Sequence, residues 1–266
     1  MSDELQRFKE KVLREYPRLS KDDTFKFACK PGISCYNECC GDVNIFLTPY
    51  DILRMKNALG IQSEEFLDKY TITPFDKNQN YPVILLKMQD DDKHTCHFVS
   101  PDGCAVYDDR PWACRYYPIG MASPKENDEE VESAFFFLLN EDHCKGHGEG
   151  NEMSVAEWRI DQGLDKYDEF GELYKELTLH DYFARGKQLD VPRMEMFHMA
   201  CYNLDKFREF ILNSSFLTRL ELEADLLEKL KEDDEELLRF GFRWLKFALF
   251  AEKTMTIRPS ALGGLK

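Results

Sequence analysis

The distribution of cysteine along this chain constrains its fold more than any other sequence feature. Eight of the nine cysteines lie between residues 29 and 144, and the ninth is Cys201. A reducing compartment keeps thiols unpaired, and an odd count leaves at least one cysteine outside any complete set of disulfides. With 266 residues, the chain is long enough to build a hydrophobic core without cross-links. So many thiols in such a chain indicate metal binding or redox chemistry.

The composition predicts a globular protein and excludes two classes of partner. Hydrophobic residues make up 43% of the chain and charged residues 32%, which is not typical of disordered or collagen-like proteins. The 35 Lys and Arg against 50 Asp and Glu give a formal net charge of −15. Phosphate backbones and anionic lipids repel so acidic a chain. We therefore expect no nucleic acid and no membrane as partner, but a protein partner or a redox partner.

The hydropathy pattern predicts a cytoplasmic location. No apolar run approaches the ~18 residues that a membrane-spanning helix requires. Residues 1–11 are charged throughout and lack the apolar core of a signal peptide.

Local sequence patterns predict an α+β fold with short strands among helices. The clearest helix runs from Pro49 to Leu59, where Thr48 and Asp51 form a capping box and Gly60 ends the helix. Apolar runs and turn residues predict strands over 81–88, 95–99, 104–107 and 133–140. Apolar residues at helical spacing predict further helices over 2–16, 64–70, 155–177, 193–212, 217–231 and 234–252.

The cysteine content also divides the chain into two predicted domains. A cysteine-rich metal-binding domain is expected over residues 20–150, and a helical C-terminal region over residues 151–257. Cys201 lies alone in the helical region, so we interpret it as a small core residue. Residues 240–250 are apolar around most of a helix, which predicts burial in the core or against a partner.

The spacing of the cysteines does not match the common short metal motifs. Ferredoxins repeat C-x2-C, and zinc modules use paired knuckles; this chain has no C-x2-C pair. Its tightest group is Cys35-x3-Cys39-Cys40, which brings three thiols together at low loop-closure cost. The spacing disfavours an ordinary zinc module but leaves zinc open. Further ligands must come from distant segments, so a bound metal would tie those segments together.

Five ordered blocks of sequence resemble the CxxCxxCC, or YkgJ-type, cysteine-cluster family. The resemblance covers about residues 25–145 and departs from the family name in its spacing, which here is C-x5-C-x3-C-C. The blocks are Cys35–Gly41, Leu47–Arg54 with Leu59–Ile61, Phe66-Leu67, Cys96 with Gly103–Tyr107, and Arg110–Pro118.

The resemblance implies a metal centre and a set of ligands. Members of the family are described as zinc- or iron-chelating, similar proteins contain iron–sulfur clusters, and flagellin lysine N-methylases carry a related cysteine domain. Because one 4Fe–4S cluster needs only four thiolates, eight candidates imply either a second metal or thiols that are not ligands. The implied ligands are Cys35, Cys39, Cys40, Cys96, Cys104 and Cys114, followed by Cys29 and Cys144.

Arginine, tyrosine and histidine side chains near the cysteines are candidates for binding or packing roles. Arg110 and Arg115 would either bind the cofactor, by hydrogen bonds to its sulfurs, or form ordinary ion pairs. The tyrosines beside them are interpreted as packing residues. The histidines that flank the later cysteines are interpreted as surface residues, although imidazole is a competent ligand. The tyrosines are Tyr107, Tyr116 and Tyr117, and the histidines are His94, His97, His143 and His147.

Three hypotheses of function follow. The leading one is a protein that binds a cysteine-ligated 4Fe–4S cluster for redox or associated modification chemistry. The alternatives are a structural zinc protein and an enzyme similar to a protein-lysine N-methylase. No catalytic residue is predicted, because phosphate-loop, dinucleotide-binding, zinc-protease and nucleophile-elbow motifs are all absent from the sequence.

Overall fold

The computed structural model describes residues 16, 18–74, 79–122 and 135–262. These ranges combine helices with short strands, so the predicted α+β class is confirmed. The helix predicted over residues 2–16 lies outside the described residues, apart from Tyr16. Within the described ranges, no helix has both the length and the apolar content that crossing a bilayer requires.

The strands are short and antiparallel wherever they pair. In chain order they are β1 Arg18–Leu19, β2 Thr24–Phe27, β3 Phe46–Leu47, β4 Thr71–Ile72, β5 Ile84–Leu86, β6 Val99–Ser100, β7 Gly103–Cys104, β8 Ile119–Ala122, β9 Phe135–Leu138, β10 His147–Ser154, β11 Leu220–Glu221 and β12 Thr256–Ile257.

The helices concentrate after residue 150. In chain order they are α1 Pro49–Leu59, α2 Ser63–Tyr70, α3 Trp112–Tyr116, α4 Val155–Asp161, α5 Asp165–Thr178, α6 Asp181–Ala184, α7 Val191–Tyr202, α8 Leu204–Asn213, α9 Phe216–Arg219, α10 Ala224–Glu232, α11 Asp234–Phe250 and α12 Pro259–Leu262. Of the two 3₁₀ turns in the described ranges, Glu38–Cys40 precedes α1 and Tyr107–Asp109 precedes α3.

The chain forms two compact units, each assembled from separate stretches of sequence. The first unit contains the described parts of 1–43, 90–105 and 112–166, and the second contains those of 44–89, 106–111 and 167–266. The domain boundaries given above, 20–150 and 151–257, remain a prediction.

The first unit is built on small sheets around an aromatic core. Its sheets have the orders β1-β9-β8, β10-β2 and β6-β7. On β2, Phe25 and Phe27 are buried while their neighbours are exposed, and both rings meet Trp158 edge to face at 5.6 and 5.8 Å. The chain leaves this core directly after Phe27, so the buried strand fixes where the first cysteine, Cys29, begins its loop.

The second unit is a helical assembly with the predicted cap on its first helix. Thr48 accepts a hydrogen bond from the Asp51 amide, the Asp51 carboxylate accepts one from the Thr48 amide, and Gly60 ends α1 in the left-handed conformation. Farther along, α11 passes so close to α7 that a Cβ atom on Gly241 would lie 2.7 Å from the Ala200 carbonyl oxygen. Only glycine permits this approach.

A charged network connects α1, α2, α8 and α11 within the second unit. The Lys56 ammonium, on a side chain only 6% exposed, lies 2.9 Å from Asp234 and 3.4 Å from Asp205. Asp205 also accepts hydrogen bonds from the amide and hydroxyl of Ser63, at 2.6 and 2.7 Å. Burial alone would raise the pKa of Asp205, but these hydrogen bonds and the Lys56 charge outweigh it and lower the pKa.

Several observed elements are shorter than the sequence patterns predicted. The helix predicted over 155–177 breaks at Gly163, which has a φ of 62°, and the one over 193–212 breaks at Asn203, whose side chain caps α8. The strand predicted over 81–88 is limited to Ile84–Leu86. By contrast, β10 was not predicted, because its residues are mostly polar and only pairing with β2 makes them a strand.

Candidate metal centre

Residues 28–41, called the cysteine loop below, follow β2 and contain four of the cysteines. Backbone amides at Ile33, Tyr36, Glu38 and Cys40 each donate a hydrogen bond to the carbonyl three residues earlier, at 3.0–3.2 Å. No residue of this loop is buried. The loop is therefore shaped by successive turns and not by a hydrophobic core of its own.

Four cysteines from two segments surround one small cavity in the first unit. The volume of this cavity is about 10 Å³, which is near the space of one water molecule. The Lys145 amide donates a hydrogen bond of 3.0 Å to the Cys35 sulfur. Tyr117 and His143 complete the polar part of the wall. The four cysteines are Cys29, Cys35, Cys39 and Cys144.

The other four clustered cysteines, Cys40, Cys96, Cys104 and Cys114, do not line this cavity. The Cys96 amide donates a hydrogen bond of 2.7 Å to the Cys40 carbonyl, and the neighbouring Gly41 forms an antiparallel bridge with Thr95. The β6–β7 hairpin then places Cys104 opposite Val99. Cys114 lies in α3.

The thiols influence one another electrostatically. Burial, followed by the charges of Cys39, Cys35 and Cys144, raises the pKa of Cys29 to about 11. A hydrogen bond between the Cys39 and Cys40 thiols lowers the pKa of Cys39 to about 7 and raises the pKa of Cys40. Closely spaced thiolates repel one another, so they ionise together only beside a cation. This donor chemistry fits a bound metal.

Two buried polar atoms near the cavity are also unusual. Among the residues that the structure describes, the Tyr117 hydroxyl and His147 Nε2 are buried without a hydrogen-bond partner. Burial is the main cause that raises the pKa of Tyr117, and the neighbouring Cys144 adds to it. A thiolate at Cys144 would give this hydroxyl an acceptor. The orphaned donor therefore fits a site that holds ionised thiols.

The thiols approach one another without forming a finished coordination sphere. Within the described ranges, no three His, Cys, Asp or Glu side chains converge closely enough to hold a metal ion. The clustered cysteines thus fit a metal because their thiols are suitable ligands and lie near one another. Metal binding would require rotation of the cysteine side chains so that their sulfur atoms converge on one point.

The predicted site residues are divided between the two units. All eight candidate ligands belong to the first unit, and Arg115 lies there too, buried, with its guanidinium donating to the Gln162 carbonyl at 2.6 Å. Arg110 belongs to the second unit, where it stacks on the Tyr107 ring at 3.8 Å. Cofactor binding by Arg110 and Arg115, like ligation by each cysteine, remains a prediction. Cys201 is fully buried, as predicted for a core residue.

Sequence reasoning missed the place of Tyr117 in the cavity wall and the buried ring nitrogen of His147. Tyr117 was interpreted as a packing residue and His147 as a surface residue, yet each carries a buried polar atom without a partner. His94, His97 and His143 are exposed, as predicted, although His143 also lines the cavity. No local pattern distinguishes Tyr117 from the buried Tyr116 beside it; only the fold does.

Comparison with known proteins gives one family match, which covers the cysteine-rich segment. Residues 28–147 match the model of the CxxCxxCC family, which is described as "Putative zinc- or iron-chelating domain". The matched span contains all eight clustered cysteines. No curated protein and no solved structure matches the chain. The match supports metal binding, with zinc or iron as the metal.

Proposed function

We propose that the first unit binds an iron–sulfur cluster of the 4Fe–4S type through cysteine thiolates, for electron transfer or redox sensing. The observation that carries this proposal is the cysteine-rich wall of the cavity, in which four thiols face one space beside Phe27 and Ile33. Such clusters are held by four cysteine thiolates, which are soft ligands of the kind that iron–sulfur centres select. When bound, the cluster supplies one-electron transfer.

The residues around the thiols have defined roles in this proposal. The Lys145 amide already donates to the Cys35 sulfur, and the Tyr117 hydroxyl is positioned near Cys144 to do the same for a thiolate. Hydrogen bonds to sulfur withdraw charge and raise the reduction potential of a centre. Phe27 and Ile33 limit access of water. The electron donor or acceptor in this proposal is a protein or redox partner.

A structural zinc site is the second candidate, and one observation favours it. The cavity of about 10 Å³ matches a single ion more closely than a cluster of four iron atoms. Four thiolates also form a complete tetrahedral zinc site. The methylase-like alternative stays a prediction.

Anaerobic purification of the full chain, followed by metal analysis and a visible spectrum, separates these candidates. We expect iron with acid-labile sulfide and visible absorption, because iron–thiolate centres are coloured and d¹⁰ zinc is not. Cys39→Ser and Cys40→Ser should each lower the metal content, while Cys201→Ser serves as the matched control and should leave it unchanged. A colourless protein with stoichiometric zinc would support the second candidate. Equal loading of all four proteins would refute thiolate binding by the cluster.

A further inference from the structure

The eight clustered cysteines separate into two sets of four when their contacts are compared. Each set draws ligands from the cysteine loop and from later parts of the chain. We call the first the Cys29 set and the second the Cys40 set. The Cys29 set is Cys29, Cys35, Cys39 and Cys144; the Cys40 set is Cys40, Cys96, Cys104 and Cys114.

The Cys29 set is defined by a shared cavity. All four of its side chains line the same cavity, and no member of the Cys40 set lines it. The electrostatic neighbours of Cys29 among the cysteines are the other three members of this set. A backbone amide also points at one of its sulfurs: the Lys145 amide donates to Cys35 at 3.0 Å.

The Cys40 set is defined by the backbone pairing that follows the cysteine loop. Cys96 is joined to Cys40 by a backbone hydrogen bond of 2.7 Å, and its carbonyl accepts a hydrogen bond from the Val99 amide, opposite Cys104. After its chain neighbour Cys39, the cysteines within electrostatic range of Cys40 are Cys114 and Cys96, and Cys104 is within range of Cys96. These contacts connect all four members.

The adjacent pair Cys39-Cys40 provides one member of each set. Both residues lie in the 3₁₀ turn Glu38–Cys40. Cys39 lines the cavity of the Cys29 set, whereas Cys40 does not line it and accepts, through its carbonyl, a hydrogen bond from the Cys96 amide. The two thiols are themselves in contact, so centres held by the two sets would be adjacent.

We propose that the first unit holds two metal centres, one in the Cys29 set and one in the Cys40 set, joined by the Cys39–Cys40 peptide. The inference rests on the proposed thiolate binding of metal, but it holds for zinc and for iron–sulfur clusters alike. Four thiolates complete either kind of centre, so eight cysteines are more than a single centre requires. Two centres would assign a metal to each of the eight candidate ligands.

Paired substitutions in the full chain test this arrangement. Cys35→Ser with Cys144→Ser disables the Cys29 set, and Cys104→Ser with Cys114→Ser disables the Cys40 set. We expect each double variant to retain half of the metal of the wild type, whichever metal it is. One double variant that loses all metal while the other retains all of it would overturn the proposal and indicate a single centre. Zinc in place of iron would contradict only the proposed iron–sulfur function.

Alkylation of the native protein with iodoacetamide, read by mass spectrometry, provides a readout that does not depend on metal analysis. In the Cys35/Cys144 variant, Cys29 and Cys39 should become reactive while the four cysteines of the Cys40 set stay protected. The buried Cys201 reports folding, because it stays unreactive in any variant that folds. Simultaneous exposure of both sets with Cys201 still protected would refute two independent centres.

Discussion

Removal of the metal should open the cysteine loop and leave the second unit folded. The loop has fourteen residues, none of them buried, and four backbone hydrogen bonds within its turns. Ordering costs at least about 1 kcal/mol of backbone entropy per residue, or about 14 kcal/mol. These four hydrogen bonds, with five more that join the loop to later segments, return about 9 kcal/mol. The remaining ~5 kcal/mol is less than the ~10–16 kcal/mol that a structural thiolate site supplies, so metal binding is sufficient to order the loop.

Hydrogen exchange resolved by peptide and read by mass spectrometry measures this effect. The wild-type chain is compared as purified and after chelation under reducing, anaerobic conditions. Without metal, we expect the amides of Ile33, Tyr36, Glu38 and Cys40 to exchange at rates near those of an unfolded chain. Peptides from α11 should keep their protection, because that helix buries its own apolar face.

Two results would contradict this reasoning. Unchanged protection of the cysteine loop after complete metal removal would show that the loop is ordered by its own contacts. Loss of protection in α11 to the same extent would show that the metal supports the entire fold. Cys201→Ser, which should not alter metal content, provides the matched control for effects of cysteine substitution alone.

Further predictions concern the second unit and are checked by chemical or thermal unfolding. Gly241→Ala should lower the free energy of unfolding by about 1–3 kcal/mol through overpacking against α7. Gly171→Ala, in a helix with open space around it, is the control and should raise the free energy of unfolding by roughly 0.5–1 kcal/mol. Equal effects of the two substitutions would refute the close approach of α11 to α7. Thr48→Ala should cost about 1 kcal/mol through loss of the cap. The lowered pKa of Asp205 stabilises the fold above its unfolded pKa near 4, so stability should fall as pH drops below about 4, and Asp205→Asn should flatten that slope.

Features set by neighbouring residues could be predicted from the sequence. The cap at Thr48 and the stop at Gly60 depend on a few adjacent residues, and both form as predicted. The burial of Cys201 follows from its place in an apolar helical stretch. Such local signals established the α+β class without any knowledge of the tertiary arrangement.

Features set by distant pairing could not be predicted in this way. The polar strand β10 exists because it pairs with β2, more than a hundred residues earlier. Cys39 and Cys40 are neighbours in sequence, yet their environments differ because Cys39 lines the cavity while Cys40 bonds to Cys96. Spacing alone cannot reveal such a division. It depends on which later segments meet each face of the cysteine loop.

The central claim is that cysteine thiolates of the first unit bind metal, and X-ray absorption at the edge of the bound metal tests it most directly. The purified full chain should give a first coordination shell that contains sulfur alone, at about 2.3 Å if the metal is zinc. For an iron–sulfur cluster we expect, in addition, scattering from neighbouring iron atoms. A first shell dominated by nitrogen or oxygen at about 2.0–2.2 Å would contradict the account.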